Sequence, residues 1–133
     1  MTQFFMFMSG VLWALSSQAG IHHPQSFLDN VAGVRDEGAQ IVQHYCASCH
    51  ASNPLISVGA PRMQDRTDWA PRLKQGLDSL FKRADEGFNA MPPRGGCFEC
   101  SDQQLYLAIK AMLSVSDQKV LFNQKKNANK SIR

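Results

Sequence analysis

Apolar positions along this chain fall into short groups at helical spacing, separated by segments rich in Gly, Pro and Asn. Val34, the run Gln40 to Val42 and Tyr45 predict a first helix from about Asp29 or Val31 to Tyr45, with Gly33 and Gly38 weakening it from inside. Residues 51–65 contain Asn53-Pro54 and Gly59-Ala60-Pro61 without helical spacing, and read as a loop. Thr67 or Asp68 can cap a short helix to about Gln75, where Pro71 is tolerated as part of the first turn and Gly76 ends the element. Leu77, Leu80, Phe81 and Ala84 fall at i, i+3, i+4 and i+7 and predict another helix that stops at Gly87. Ser101-Asp102-Gln103-Gln104 is a capping box, and Leu105, Ala108, Ile109, Met112 and Leu113 form the stripe of the helix it opens. No useful run of alternating apolar and polar residues occurs, so the expected fold is all-α.

The N-terminus has a different pattern. Met1 to Leu15 carries no charged side chain, and Phe4 to Met8 with Val11 to Leu15 makes an apolar stretch too short to span a bilayer comfortably. Ser17-x-Ala19 supplies the small residues a signal peptidase needs, so residues 1–19 read as a secretory signal cleaved after Ala19. The absence of Lys or Arg before the apolar stretch keeps an uncleaved anchor as the alternative. Residues 20–30 read as a lead into the domain, with His22 and His23 solvated, and residues 31–115 as the domain itself. From Ile21 to Gln118 nine Lys and Arg face eleven Asp and Glu, whereas Lys119 to Arg133 has five basic residues and no acid. Residues 116–133 therefore read as a basic, disordered tail, and with only Phe122 among its charges it does not suggest nucleic acid. An apolar fraction of 44% over 133 residues suits one globular domain with one site.

Cys46-Ala47-Ser48-Cys49-His50 is the spacing of covalent haem attachment: two thiols add to the two vinyl groups of one porphyrin, and the adjacent imidazole binds iron. The competing reading is a structural disulfide, or a zinc site in which Cys46, Cys49, Cys97 and Cys100 supply four thiolates. Against zinc stand the oxidising compartment that a signal implies and the His directly after Cys49. A sixth iron ligand has six candidates, Met63, Met91, Met112, His22, His23 and His44. Met112 belongs to the stripe of the last helix, Met63 fits loop packing, and His44 is too near the motif to reach the opposite face. Met91 precedes Pro92 and Pro93, which stiffen the chain beside the sulfur, and it stands forty-one residues after His50. Ligation by imidazole and thioether favours ferrous iron, giving a fairly high reduction potential, and leaves no position for substrate, which points to electron transfer and not to an enzyme.

From about Gly38 to Leu113 the chain resembles the bacterial cytochrome c5 family, a branch of the class I c-type cytochromes. The residues that carry the resemblance are Cys46-x-x-Cys49-His50, Gly59-Ala60-Pro61-Arg62, Asp68-Trp69-Ala70-Pro71-Arg72, Gly87 to Gly96 with Met91-Pro92-Pro93, and Cys97-x-x-Cys100-Ser101. The resemblance implies a class I cytochrome c fold, four to five short helices around one covalently bound haem c. It implies His50 and Met91 as axial ligands, a hydrogen bond from the distal ring nitrogen of His50 to the carbonyl of Pro61, and a disulfide between Cys97 and Cys100. A second haem motif at that pair would need His where Ser101 stands, and a thioredoxin-like pair would want a βαβ unit. As a staple, the bridge would pin the Met91 loop to the last helix. The chain departs from the class at Val42, where an aromatic ring commonly packs four residues before the first Cys; Tyr45 and Tyr106 are the residues able to replace that contact.

The expected function is a periplasmic monohaem electron carrier whose partners are periplasmic or membrane redox proteins such as a cytochrome oxidase or reductase. A haem-based gas or peroxide binder with a labile sixth ligand is the alternative, and a weak homodimer is left open.

Overall fold

The computed structural model describes residues 23–121 and 123. Its elements are α1 (Pro24–Val31), α2 (Glu37–Ile41), a π-helical turn (Val42–Cys46), α3 (Ala47–His50), α4 (Arg66–Leu73), α5 (Gly76–Glu86), a 3-10 turn (Pro93–Gly96) and α6 (Asp102–Met112). Residues 115–121 are also helical. Among the described residues the one strand-like feature is the isolated bridge between Phe88 and Met91, so the domain is all-α as the periodicity requires. The helices are more numerous and shorter than expected.

The segment expected as a lead is a helix. Pro24 stands at its start, where a missing amide costs nothing and a fixed φ is already helical. Leu28 and Val31 are buried on its inner side. The predicted helix from Asp29 or Val31 to Tyr45 is therefore divided: α1 stops at Val31, the chain turns, and α2 begins at Glu37. The Glu37 carboxylate is buried and accepts the Gly33 amide at 2.8 Å, closing that turn.

The core forms where α2 crosses α6. A β-carbon on Gly38 would stand 2.6 Å from the carbonyl carbon of Leu107 and 3.1 Å from its Cβ, so the absence of a side chain lets the two backbones touch. Ile41 and Val42 from one side, and Leu105, Ala108, Ile109 and Met112 from the other, fill the crossing. Val42 is itself buried there. Tyr45 turns away to Phe27 of α1 and to His44, with ring centroids 6.2 and 4.8 Å distant, and no ring contact with Tyr106 occurs among the described residues. The capping box of α6 is complete, Ser101 Oγ accepting from the Gln104 amide and Gln104 Oε1 from the Ser101 amide. Gln104 is buried because its side-chain amide also donates to the Leu28 carbonyl at 3.3 Å, satisfying a carbonyl at the end of α1.

Two boundaries differ from expectation in ways with a local cause. The cap of α4 is Asp65, which accepts from the amides of Thr67 and Asp68 at 3.0 and 3.1 Å, so the helix starts two residues early and places Pro71 in its interior. The helix ends at Leu73, soon after that break. At the other end of the chain, Ser114 accepts from the Asp117 amide at 3.2 Å and donates to its carboxylate at 2.7 Å, opening the helix at 115–121. Asp117 and Leu121 are buried, so this part of the expected disordered tail is packed. The predicted signal at 1–19, His22, and Phe122 and residues 124–133 of the tail lie outside the described residues.

Candidate functional site

The π turn and α3 bring Cys46, Cys49 and His50 to the end of one helical run. In the turn the Ala47 amide bonds to the Val42 carbonyl five residues back, and regular helix resumes through His50. The loop that follows is stitched onto this end: the Ile56 amide donates to the Ser48 carbonyl at 2.9 Å and the Met63 amide to the His50 carbonyl at 2.6 Å. His50 is buried, with Nδ1 2.8 Å from the Pro61 carbonyl oxygen. A carbonyl can only accept, so the proton sits on Nδ1 and the Nε2 lone pair is free to bind a metal.

Arg62 and its neighbours hold Pro61 in place. The Arg62 amide and Nε both donate to the Asp68 carboxylate at 3.0 Å, and its terminal nitrogen reaches Asp65 at 2.9 Å. Trp69, buried in the core, donates its indole N–H to the Arg62 carbonyl at 2.8 Å. The Gln64 amide, bonded to the Met112 carbonyl at 2.8 Å, ties the same loop to the end of α6. The sequence offers Arg62 and Trp69 only as parts of a family pattern and Asp68 also as a helix cap; their spacing gives no hint that they converge on one peptide unit.

The Arg62 hydrogen bonds hold the Asp68 carboxyl below its ordinary value of 3.8. A depressed folded pKa stabilises the fold above the ordinary value, and that contribution disappears as pH falls through the lower folded one. Asp68→Asn is therefore expected to lower the melting temperature near neutral pH, and the two proteins are expected to converge as pH falls through the lowered folded value. Thermal melts across the acidic range check this; a constant gap throughout would mean that Asp68 acts through shape alone.

Cys46 and Cys49 are unpaired and partly buried. Burial, with the neighbouring Cys49, pushes the Cys46 thiol up to about 11, so it is protonated near neutrality and is no primed thiolate. Cys97 and Cys100 are joined in a disulfide with α-carbons 5.4 Å apart, and both are buried. The four-thiolate zinc set is thus not assembled, and no group of three or more His, Cys, Asp or Glu able to hold a metal ion occurs among the described residues.

Met91 lies partly buried on the loop between α5 and the 3-10 turn. Phe88 and Met91 exchange both backbone hydrogen bonds at 3.0 Å, closing a tight turn. Gly87 makes room for it: a β-carbon there would lie 2.8 Å from the Met91 carbonyl oxygen and 2.9 Å from the Pro93 nitrogen. The 3-10 turn that follows packs against both α5 and the π turn, so the Met91 loop and the attachment helix are neighbours. Among the described residues, three of the other ligand candidates are engaged elsewhere; His22 lies outside them. Met112 is buried in α6, Met63 packs against the core, His44 stacks on Phe27 with centroids 4.3 Å apart, and His23 is exposed ahead of α1.

The donor set suits haem. Two free thiols, a buried imidazole with Nε2 available and a thioether on a stiff loop match the ligands of a c-type haem. Leu55, at 90% exposure, Ile56, Val58 and Phe88 stand out from the loops that carry Pro61 and Met91, which is where a flat apolar macrocycle needs cover. No Asp, Glu, Lys or Arg occurs from Gly38 to Pro61, and the Arg83 guanidinium lies 4.5 Å over the Phe88 ring.

Comparison with known proteins agrees with this chemistry. Residues 33–110 match the family described as cytochrome C oxidase, cbb3-type, subunit III. Cytochrome c5 of Azotobacter vinelandii is 42% identical over 77 residues, 56% of this chain and 89% of the relative. Cytochrome c5 of Ectopseudomonas mendocina is 40% identical over 74 residues, 54% of this chain and 82% of the relative. Cytochrome c-555 of Chlorobaculum tepidum is 33% identical over 75 residues, 53% of this chain and 67% of the relative. The chain belongs to this family as a cytochrome c5-like class I c-type cytochrome, a monohaem electron-transfer protein with covalently attached haem c.

Proposed function

We propose that this protein is a periplasmic single-electron carrier in which Cys46 and Cys49 would hold the haem by thioethers, and His50 and Met91 would ligate its iron. It shuttles electrons between respiratory redox proteins, such as a cytochrome oxidase or reductase. What supports the ligation most directly is the way His50 is held: buried, its Nδ1 proton engaged by Pro61, its Nε2 left as the donor. The bound haem supplies a one-electron couple at iron. The chain does the rest. Pro61 orients the imidazole and strengthens its donation. Met91 offers a soft, neutral sulfur that favours the ferrous state. With side chains on both faces no position remains for a substrate, which supports a carrier over an enzyme. The apolar segment at residues 1–19 supports export, and among the described residues no helix is long and apolar enough to cross a membrane.

Optical spectra of the purified protein, oxidised and reduced, with acid–acetone extraction, test this reading. Haem retained by the chain, a low-spin spectrum, and a weak far-red methionine–ferric band abolished in Met91→Ala are expected. A high-spin spectrum that shifts on adding carbon monoxide would replace the carrier by a gas or peroxide binder. Absence of haem would overturn both.

A further inference from the structure

We propose that Arg94 is a positioning residue for Met91: its guanidinium fixes where the methionine sulfur stands and so sets how readily that sulfur leaves the iron. The inference rests on the reading of Met91 as the second axial ligand. Arg94 follows Met91 by three residues and sits in the 3-10 turn with φ of 55°, a left-handed backbone that residues with a β-carbon rarely adopt. Such a conformation persists only where the surroundings hold it.

The side chain supplies that hold. It is only 19% exposed and reaches three acceptors: the Asp85 carboxylate on α5, the Cys100 carbonyl at 2.7 Å, and the Asp102 carboxylate at 3.1 Å at the start of α6. Asp102 is 79% exposed and adds little, so Asp85 and the Cys100 carbonyl carry the contact. One planar fork thus joins α5, the disulfide loop and the last helix, which the point charge of Lys does not do.

The route from this fork to the sulfur is short and stiff. Pro92 and Pro93 fix φ at the two residues between Met91 and Arg94. The Gly95 amide bonds to the Pro92 carbonyl at 3.0 Å, and the Cys97 amide to the Arg94 carbonyl at 3.1 Å. On the far side, Met91 is locked to Phe88 by two backbone bonds. A shift of Arg94 is therefore passed to Met91 with little slack, because the two prolines fix φ between them and the backbone hydrogen bonds on either side restrain the turn. An ordinary surface ion pair lacks this connection.

The test uses the haem-loaded protein as wild type, Arg94→Gln, Arg94→Lys, Asp85→Asn and the double variant Arg94→Gln/Asp85→Asn. Imidazole, which competes with methionine for ferric iron, is titrated against the far-red band, and reduction potential and helical melting are measured in parallel. Loss of a charge-assisted contact is expected to tighten imidazole binding about tenfold in Arg94→Gln. The potential falls, the band fades at a lower temperature than the helical signal, Arg94→Lys restores little, and Asp85→Asn changes in the same direction. The double variant is no worse than Arg94→Gln, as a shared contact requires. Unchanged imidazole affinity and potential in Arg94→Gln, with only a lower melting temperature, would make Arg94 a structural ion pair and overturn the proposal. If Arg94→Gln fails to fold, Asp85→Asn decides in the same way. A wild type without the methionine band would instead remove Met91 as ligand, and both readings with it.

Discussion

Gly38→Ala is expected to destabilise this protein by about 3 kcal/mol, although the same change in an exposed helix interior would stabilise it by up to about 1 kcal/mol. The reversal follows from the crossing of α2 and α6. The added carbon would overlap the Leu107 carbonyl, and that obstacle is backbone inside a helix, not the end of a flexible side chain. The two helices must separate, which loosens Ile41, Val42, Ala108 and Ile109 together, all buried at this contact. For a domain of this size the melting temperature should fall by about 12–24 °C. Thermal unfolding of the haem-loaded protein measures it. A variant as stable as wild type would mean that α2 and α6 do not pack backbone to backbone.

The largest chemical effect is expected from Cys46→Ala combined with Cys49→Ala. Acid–acetone should extract essentially all the haem from this variant and none from the wild type. Each single variant should retain its haem through one remaining thioether, with the visible bands displaced to longer wavelength because one vinyl group stays conjugated. In the double variant no thioether can hold the group, so its occupancy becomes an ordinary equilibrium set by concentration. Haem retention after extraction in the double variant would show that attachment runs through other side chains.

Much of this was legible before any coordinates, and what was not has a physical pattern. The attachment motif and the α6 capping box were readable because each depends on spacings within five residues, which any conformation of the chain preserves. The Asp65 cap and the Ser114 to Asp117 cap are equally local, and both are present as sequence signals; they were passed over because Thr67 and Asp68 offered competing caps, and because a basic tail suggested disorder. Residues 20–30 were read as a lead, whereas Pro24 starts a helix within them. The roles of Arg62, Trp69 and Arg94 are of another kind. They depend on side chains converging from separate elements, and no spacing encodes that. Gly38 shows the same limit: its cost to helix propensity is visible locally, and its use is visible only once Leu107 lies across it.

The π turn at Val42–Cys46 carries a consequence for chain length. An α-helix advances about 100° per residue, and a turn closed by a five-residue hydrogen bond holds one residue more than an α turn does. That extra residue sits between two faces with different duties, Gly38 to Val42 against α6 and Cys46 to His50 at the site. Both could keep their aim in a chain one residue shorter, wound as plain α-helix. When relatives are aligned across residues 42–46, a single-residue gap there is thus a change of winding rather than a loss of function.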